Sequence, residues 1–258
     1  MMWNEWSLWL FGLILFLLLS VMLEAGFRLS TRWRSLHEGG GSDFLASATL
    51  GLLALLLGFT FSLALHRHEE RRSLVIAEAN ALGTSWLRIQ AIDAVDRESV
   101  AIPFRKYAET RLEWSIASDE GEASQAIYAQ AAAQQQRVWS AATAALADGE
   151  NIVDSKLLLD PLNESFDVAT EREIRRQSHL PGAMVAMLLV FMLFATTLVG
   201  WRLGEVGKRM LLPSALTGIM LTLAVIMTMD LDMSTSGMIT VSQDALVQAL
   251  DDITKSQR

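Results

Sequence analysis

The sequence predicts an all-α membrane protein with four transmembrane helices, two before and two after a helical domain that lies outside the bilayer. Three observations lead to this fold class. Apolar residues make up 52% of the chain and are concentrated in four uncharged blocks, the pattern of membrane spans. The segment between the second and third blocks is rich in the helix formers Ala, Glu, Gln, Arg and Leu. That segment has no run of alternating β-branched residues, which would indicate strands.

Each uncharged block is long enough to cross a bilayer. A helix rising 1.5 Å per residue needs about 20 residues to cross a hydrocarbon layer of about 30 Å, and only a helix satisfies its own backbone hydrogen bonds in lipid. No basic residue precedes the first block, so we expect it to be retained rather than cleaved as a signal peptide. The predicted spans, all free of Asp, Glu, Lys and Arg, are Trp6–Leu23, Phe44–Leu65, Leu180–Trp201 and Met210–Met229.

The spans define the predicted domain organisation. Residues 1–65 hold spans one and two, residues 66–179 form the helical extramembrane domain, residues 180–229 hold spans three and four, and residues 230–258 are a C-terminal extramembrane segment.

The second span is expected to continue into the middle domain as one helix from Phe44 to about Arg88. The range contains no proline, and no glycine stands between Phe59 and Leu82. Further helices are predicted over 97–116 and 124–146, with an acidic turn at 118–123. A last helix is predicted to start with Asp160 as N-cap and Pro161 at the first helical position, and to run into the third span.

Composition and motifs argue against several classes of function. The chain has no cysteine, and therefore no thiolate metal site or cysteine nucleophile. A net charge of −8 without a long basic run argues against nucleic-acid binding. We find no catalytic set of nucleophile and base, no Gly-rich phosphate loop and no cofactor motif. His66 and His68 point away from each other on a helix, so we expect no metal site there. Enzyme is the least favoured class.

A pair of carboxylates, Asp230 and Asp232, follows the fourth span directly. Carboxylates at this position can coordinate a cation or accept hydrogen bonds from backbone N–H groups. A hydrated helix end or a salt bridge to arginine is the simpler interpretation.

Small residues recur along the second span, at positions that share one face of a helix. Small residues at this spacing let two helix backbones approach closely, which indicates helix packing within the membrane. The alternative is a ring of copies of this helix around a pore, with Gly51, Leu55 and Phe59 as an apolar constriction that gates by dewetting. The predicted packing positions are Ser47, Ala54, Gly58 and Ser62.

Basic residues follow where the second span leaves the membrane. Arg67, Arg71 and Arg72 would surround the mouth of such a pore and raise the local concentration of anions. The simpler interpretation is that these arginines orient the span or contact lipid headgroups.

Three segments of the chain resemble the bestrophin-like domain family of bacterial membrane proteins. They are residues 56–88, which include Glu78-Ala79-Asn80 and Gly83-Thr84; residues 161–181; and residues 230–246, with an Asp-x-Asp-(x)4-Gly element. They occur in the order that the family has. The chain departs from the family pattern at Ser234 and Ala245, where proline is expected, and this puts the local turn geometry in doubt.

The resemblance implies the fold and function of bestrophins, which are pentameric anion channels. The stretch from Leu57 to Arg67 is similar to the bestrophin neck helix, with Phe at the Phe59 position and a bulky apolar residue at the Leu55 position. Gly51 stands where a large apolar residue is expected, so the constriction would have fewer tiers. We expect no cofactor. The expected partners are small inorganic anions, the lipid bilayer and further copies of the chain.

The sequence leaves two questions open. Basic residues flanking the spans are balanced, six on each side, so they do not assign the sides of the membrane; the resemblance implies a bacterial inner-membrane protein with a cytoplasmic middle domain. The second question is function. A homo-oligomeric, pentameric anion channel is the first interpretation, and a non-conducting sensor or scaffold that transmits a signal through its long helices is the alternative.

Overall fold

The chain folds into α-helices throughout the part that the structure describes. The structure is a computed structural model that describes residues 5–33, 42–117, 122–146, 152–233 and 236–255, and these ranges contain no β-strand. The predicted all-α fold class is confirmed. In chain order the helices are α1 (Glu5–Trp33), α2 (Ser42–Ala91), α3 (Ala94–Ile116), α4 (Glu122–Ala145), α5 (Ile152–Gln177), α6 (Gly182–Val206), α7 (Leu211–Asp232) and α8 (Asp244–Lys255).

Within the described residues, four helices are long and apolar enough to cross a membrane, and they match the four predicted spans. The first lies in α1, the second in α2, the third in α6 and the fourth in α7. The predicted continuity of the second span is also confirmed, because α2 is one helix of 50 residues. At 1.5 Å per residue it is about 75 Å long, more than twice the thickness of the hydrocarbon layer.

The predicted helix starting at Pro161 and running into the third span was wrong at both ends. α5 begins at Ile152 and contains Pro161 in its interior, and it ends at Gln177. A new helix, α6, begins at Gly182 after Pro181, whose backbone is extended. A proline disfavours the helical conformation in the residue before it, which explains the break. The predicted helices at 97–116 and 124–146 are confirmed to within three residues; most of the predicted acidic turn, 118–121, lies outside the described residues.

The chain forms two compact units, and each is discontinuous in sequence. The first comprises Met1–Arg67 and His179–Ile239, and the second comprises His68–Ser178 and Thr240–Arg258. The second unit therefore includes α8, for which the sequence analysis made no prediction.

Helices α1 and α6 of the first unit are in direct backbone contact. A Cβ atom added at Gly200 would overlap the carbonyl oxygen of Leu23, and one added at Gly204 would lie 2.6 Å from that of Phe27. Gly26 lies equally close to the backbone of α6, at Thr197. The Gly-xxx-Gly pair in α6 is a known signal for close helix packing in membranes. This pair is not among the packing positions predicted from the sequence.

The second unit has an aromatic core closed by α8. The rings of Trp86 and Phe104 stack at 6.3 Å between centroids, and Tyr107 meets Phe166 edge to face at 5.3 Å. These residues come from α2, α3 and α5. Apolar side chains of the amphipathic α8, Leu246 and Ile253 among them, complete the same core.

Candidate functional site

One face of the membrane part of α2 is exposed and includes the predicted constriction. The side chains of Leu55 and Phe59 are 54% and 63% exposed. A Cβ atom added at Gly51 would meet nothing within 4 Å. These three residues therefore share a surface that no other described part of the chain covers.

The predicted packing residues lie on the same exposed face. Gly58, like Gly51, has open space where a Cβ atom would be. The opposite face of α2 packs against the membrane core through Leu53, with Leu56 and Leu57 partly buried. The packing residues therefore make little contact within the described chain. All four are exposed: Ser47, Ala54, Gly58 and Ser62.

The three arginines of the predicted anion funnel do not share a face. At about 100° per residue, Arg67 and Arg71 both lie about 160° around the helix from Gly51, on the opposite side. Arg67 donates a hydrogen bond to the carbonyl oxygen of His179 at 2.6 Å, and Arg71, which is buried, donates to that of Ser178 at 3.0 Å. Arg72 is exposed and lies about 60° from Gly51.

Several arginines of this protein donate hydrogen bonds to carbonyl oxygens at the carboxyl ends of helices. Backbone carbonyl groups lack partners there, and the helix dipole is negative. Arg71 does so at the end of α5. Arg97 donates to the carbonyl oxygen of Ile92, just beyond α2. Arg176 donates to those of Trp114 and Ala117 at the end of α3. This capping explains why Arg71 is buried although it is charged.

The two carboxylates at the carboxyl end of α7 accept hydrogen bonds from backbone N–H groups, one of the possibilities that the sequence left open for them. Asp232 accepts from the N–H of Leu180 at 2.9 Å, and Asp230 accepts from those of Met238 and Ile239. The loop approaches Asp230 so closely that a Cβ atom at Gly237, which has a φ of 114°, would overlap the carboxylate. These bonds hold the loop after α7 within the first unit.

A buried charge network lies in the second unit. Glu78, on the buried face of α2, is fully enclosed and forms ion pairs with Arg111, at 2.5 Å, and with Arg172. Arg172 also donates to Ser115 at 2.9 Å and to Gln243 at 3.3 Å, and Ser115 donates to Gln243. The network therefore joins α2, α3, α5 and the residue before α8.

The environment of Glu78 favours its charged form. Burial by itself would raise the pKa of the Glu78 carboxyl, but the guanidinium groups of Arg111 and Arg172 hold it below its usual value. The indole of Trp114 lies beside the network, with the guanidinium carbons of Arg111 and Arg176 at 4.3 and 4.4 Å from its ring. Arg111 is therefore held by both an ion pair and a ring contact.

Glu78 belongs to the Glu78-Ala79-Asn80 motif of the resemblance, but its partners were not predicted. The signal was present, because the network uses residues from all three segments that carry the resemblance. Glu78 belongs to the first, Arg172 to the second and Gln243 to the third. An acidic residue on an apolar helix face requires a buried basic partner, and Arg172 is a candidate in the same motif set.

Comparison with known proteins supports the resemblance at the level of the fold. No protein-family model matches the sequence, and no curated protein matches it either. Among solved structures, a crystal structure of a bacterial bestrophin homologue from Klebsiella pneumoniae is similar, with a TM-score of 0.69, 14% sequence identity, and coverage of 95% of this chain and 98% of that chain. Two variants of that homologue give TM-scores of 0.70 and 0.64 at 14% and 17% identity; each match covers 94% of this chain and 98% of the other. The chain therefore has the fold of the bacterial bestrophin homologues.

Proposed function

We propose that this chain, with its bestrophin fold, assembles into a homo-oligomeric channel for small inorganic anions in the bacterial inner membrane. The proposed oligomer is a pentamer in which copies of α2 surround an axial pore. Leu55 and Phe59 form an apolar constriction there, and Gly51 adds a wider tier without a side chain. Such a constriction gates by dewetting, since water leaves a narrow apolar passage and ions cannot follow.

The observation that supports this proposal is the exposed face of α2. A membrane helix packed only within its own chain would turn its small residues inward, as α1 and α6 do. In α2 the residues without bulk, Gly51 and Gly58, lie instead on the exposed side next to the bulky Phe59. Small residues allow neighbouring copies to approach, and the bulky ones at the same face narrow the space between them.

The proposed anion funnel is revised in its composition. Arg72 is exposed and remains the best placed of the three arginines. Arg67 and Arg71 keep their charge while they donate to carbonyl groups, so they contribute to the potential near the helix exit rather than contact the ion.

We propose further that the middle domain is cytoplasmic, and cysteine accessibility tests this because the native chain contains no cysteine. Ser99 of α3 and Lys208 between α6 and α7 are both exposed. In whole cells, Ser99→Cys should be protected from a membrane-impermeant reagent and Lys208→Cys should react. The reverse pattern would place the middle domain outside the cytoplasm.

The channel proposal is tested by Phe59→Ala in reconstituted liposomes. The wider, less apolar ring should admit water and raise anion flux, while native mass spectrometry shows an unchanged oligomer. Because Phe59 is exposed within the chain, its truncation leaves no cavity in the subunit core. The matched control is Leu50→Ala: Leu50 is also exposed but lies about half a turn around α2 from Phe59, so flux should not change.

Two results would contradict the proposal. An intact Phe59→Ala oligomer with the flux of the wild type would show that Phe59 is not the gate. Absence of flux from both proteins under every anion gradient would favour the non-conducting sensor or scaffold.

A further inference from the structure

The face of α2 that contains the proposed constriction continues beyond the membrane, and its first acidic residue is Glu69. Glu69 follows Gly51 by 18 residues, which is five turns at 3.6 residues per turn, so the two residues are in register on the helix. Along the helix axis Glu69 is about 15 Å beyond Phe59. It is exposed, and among the residues that the structure describes it has no ion pair or hydrogen bond.

Among the neighbouring charges on α2, the exposed Arg72 comes nearest to this position, but it lies about 60° around the helix and nearly one turn farther from the constriction. Arg67 and Arg71 lie on the opposite face and donate to backbone carbonyl groups. Glu70 forms an ion pair with Arg175 at 3.2 Å. The exposed residues that lie within about 40° of Glu69 around the helix, such as Ser73 and Ile76, are polar without a charge or apolar.

We infer that Glu69, the exposed charge nearest the constriction on this face, sets the charge preference at this mouth of the pore, where it limits the entry of anions. This inference rests on the proposed channel, because it requires the exposed face of α2 to surround the ion path. Each subunit then contributes one carboxylate at the same height, and a ring of like charges concentrates cations and repels anions. The channel should therefore discriminate only weakly in favour of anions while Glu69 is ionised.

The experiment measures the permeability ratio of chloride to potassium from reversal potentials in planar bilayers under a KCl gradient. Glu69→Gln should raise this ratio roughly tenfold, because the substitution removes one negative charge per subunit from the path. Glu69→Asp keeps the charge and should stay close to the wild type. The matched control is Glu164→Gln, which removes an exposed carboxylate from α5 and should leave the ratio unchanged.

The outcomes separate this inference from the proposed function. A conducting wild type whose ratio is the same in Glu69→Gln would overturn the inference and leave the channel standing. An equal rise in Glu164→Gln would also overturn it, because the effect would then come from net charge rather than from position. A wild type that conducts neither ion would overturn the channel and the inference together.

Discussion

The glycines of α1 and α6 and the glycines of α2 stand in membrane helices of similar composition, yet their surroundings are opposite. At Gly200 a side chain would overlap the backbone of the neighbouring helix, whereas at Gly51 and Gly58 it would meet only open space. Small residues in a membrane span therefore do not all mean the same thing. In α1 and α6 the small residues form contacts within the subunit. In α2 they are exposed and can contact a molecule outside the subunit.

The same contrast holds for the two glutamates of α2. Glu78 is enclosed by arginines within the subunit, and Glu69, nine residues earlier and about half a turn around the helix, is exposed. One face of α2 is thus completed by the chain itself and the other is not. Substitutions on the two faces of α2, and in the contact between α1 and α6, test that division.

On the buried face of α2, substitution of Glu78 should lower the stability of the protein most. Glu78→Gln leaves Arg111 and Arg172 buried without their counter-charge, which should lower the free energy of unfolding by ~3–5 kcal/mol. The measurement is chemical denaturation of the purified protein in detergent. Glu70→Gln is the control, because its partly exposed pair with Arg175 should be worth less than about 1 kcal/mol. Equal losses in both variants would contradict the special role of the buried network.

In the membrane, the contact between α1 and α6 should not tolerate a methyl group. Gly200→Ala places the new carbon against the Leu23 carbonyl, so the helices must separate, at a cost of about 3 kcal/mol. Thermal unfolding followed by tryptophan fluorescence should show a lower midpoint than for the wild type. A midpoint equal to that of the wild type would mean that the two helices are not in backbone contact.

On the exposed face, a large substitution should leave the subunit intact and affect only its assembly. Gly58→Leu adds a side chain where the subunit has open space, so the free energy of unfolding of the monomer should change by less than about 0.5 kcal/mol. Native mass spectrometry should nevertheless show fewer intact oligomers, because neighbouring copies of α2 can no longer approach. An oligomer of unchanged stability would remove Gly58 from the packing surface.

The features that could be predicted from the sequence are those encoded locally. Uncharged runs identified the four spans, and the lack of helix breakers identified the length of α2. The break between α5 and α6 was missed although Pro181 marked it, because the hydrophobic pattern on both sides favoured one helix. The Asp160-Pro161 pair predicts a helix start, whereas α5 already begins at Ile152.

The placement of the candidate site residues around α2 could be predicted in part for a similar reason. Counting turns along α2 is enough to place Gly51, Leu55 and Phe59 on one face, and the same count separates them from Arg67 and Arg71. The hydrogen bond from Arg71 to the carbonyl oxygen of Ser178 joins residues 107 positions apart. A single sequence contains no information on which distant carbonyl group an arginine will reach. The ion pair of Glu78 with Arg111 could not be predicted for the same reason, whereas the shared motif set made Arg172 a candidate partner.

The discontinuity of the second unit also affects when it can be completed during synthesis. Ser115 pairs with Gln243, 128 residues later in the chain, and the two membrane helices α6 and α7 lie between them in sequence. While the ribosome is translating those helices, Arg172 has already been synthesised. Its partner Gln243 and the apolar side chains of α8, which complete the core, have not. Because domains generally fold in the order of synthesis, the earlier part of this unit must wait for the last two membrane helices to be translated. We expect a nascent chain stalled before residue 240 to be more susceptible to proteolysis in its second unit than the released protein.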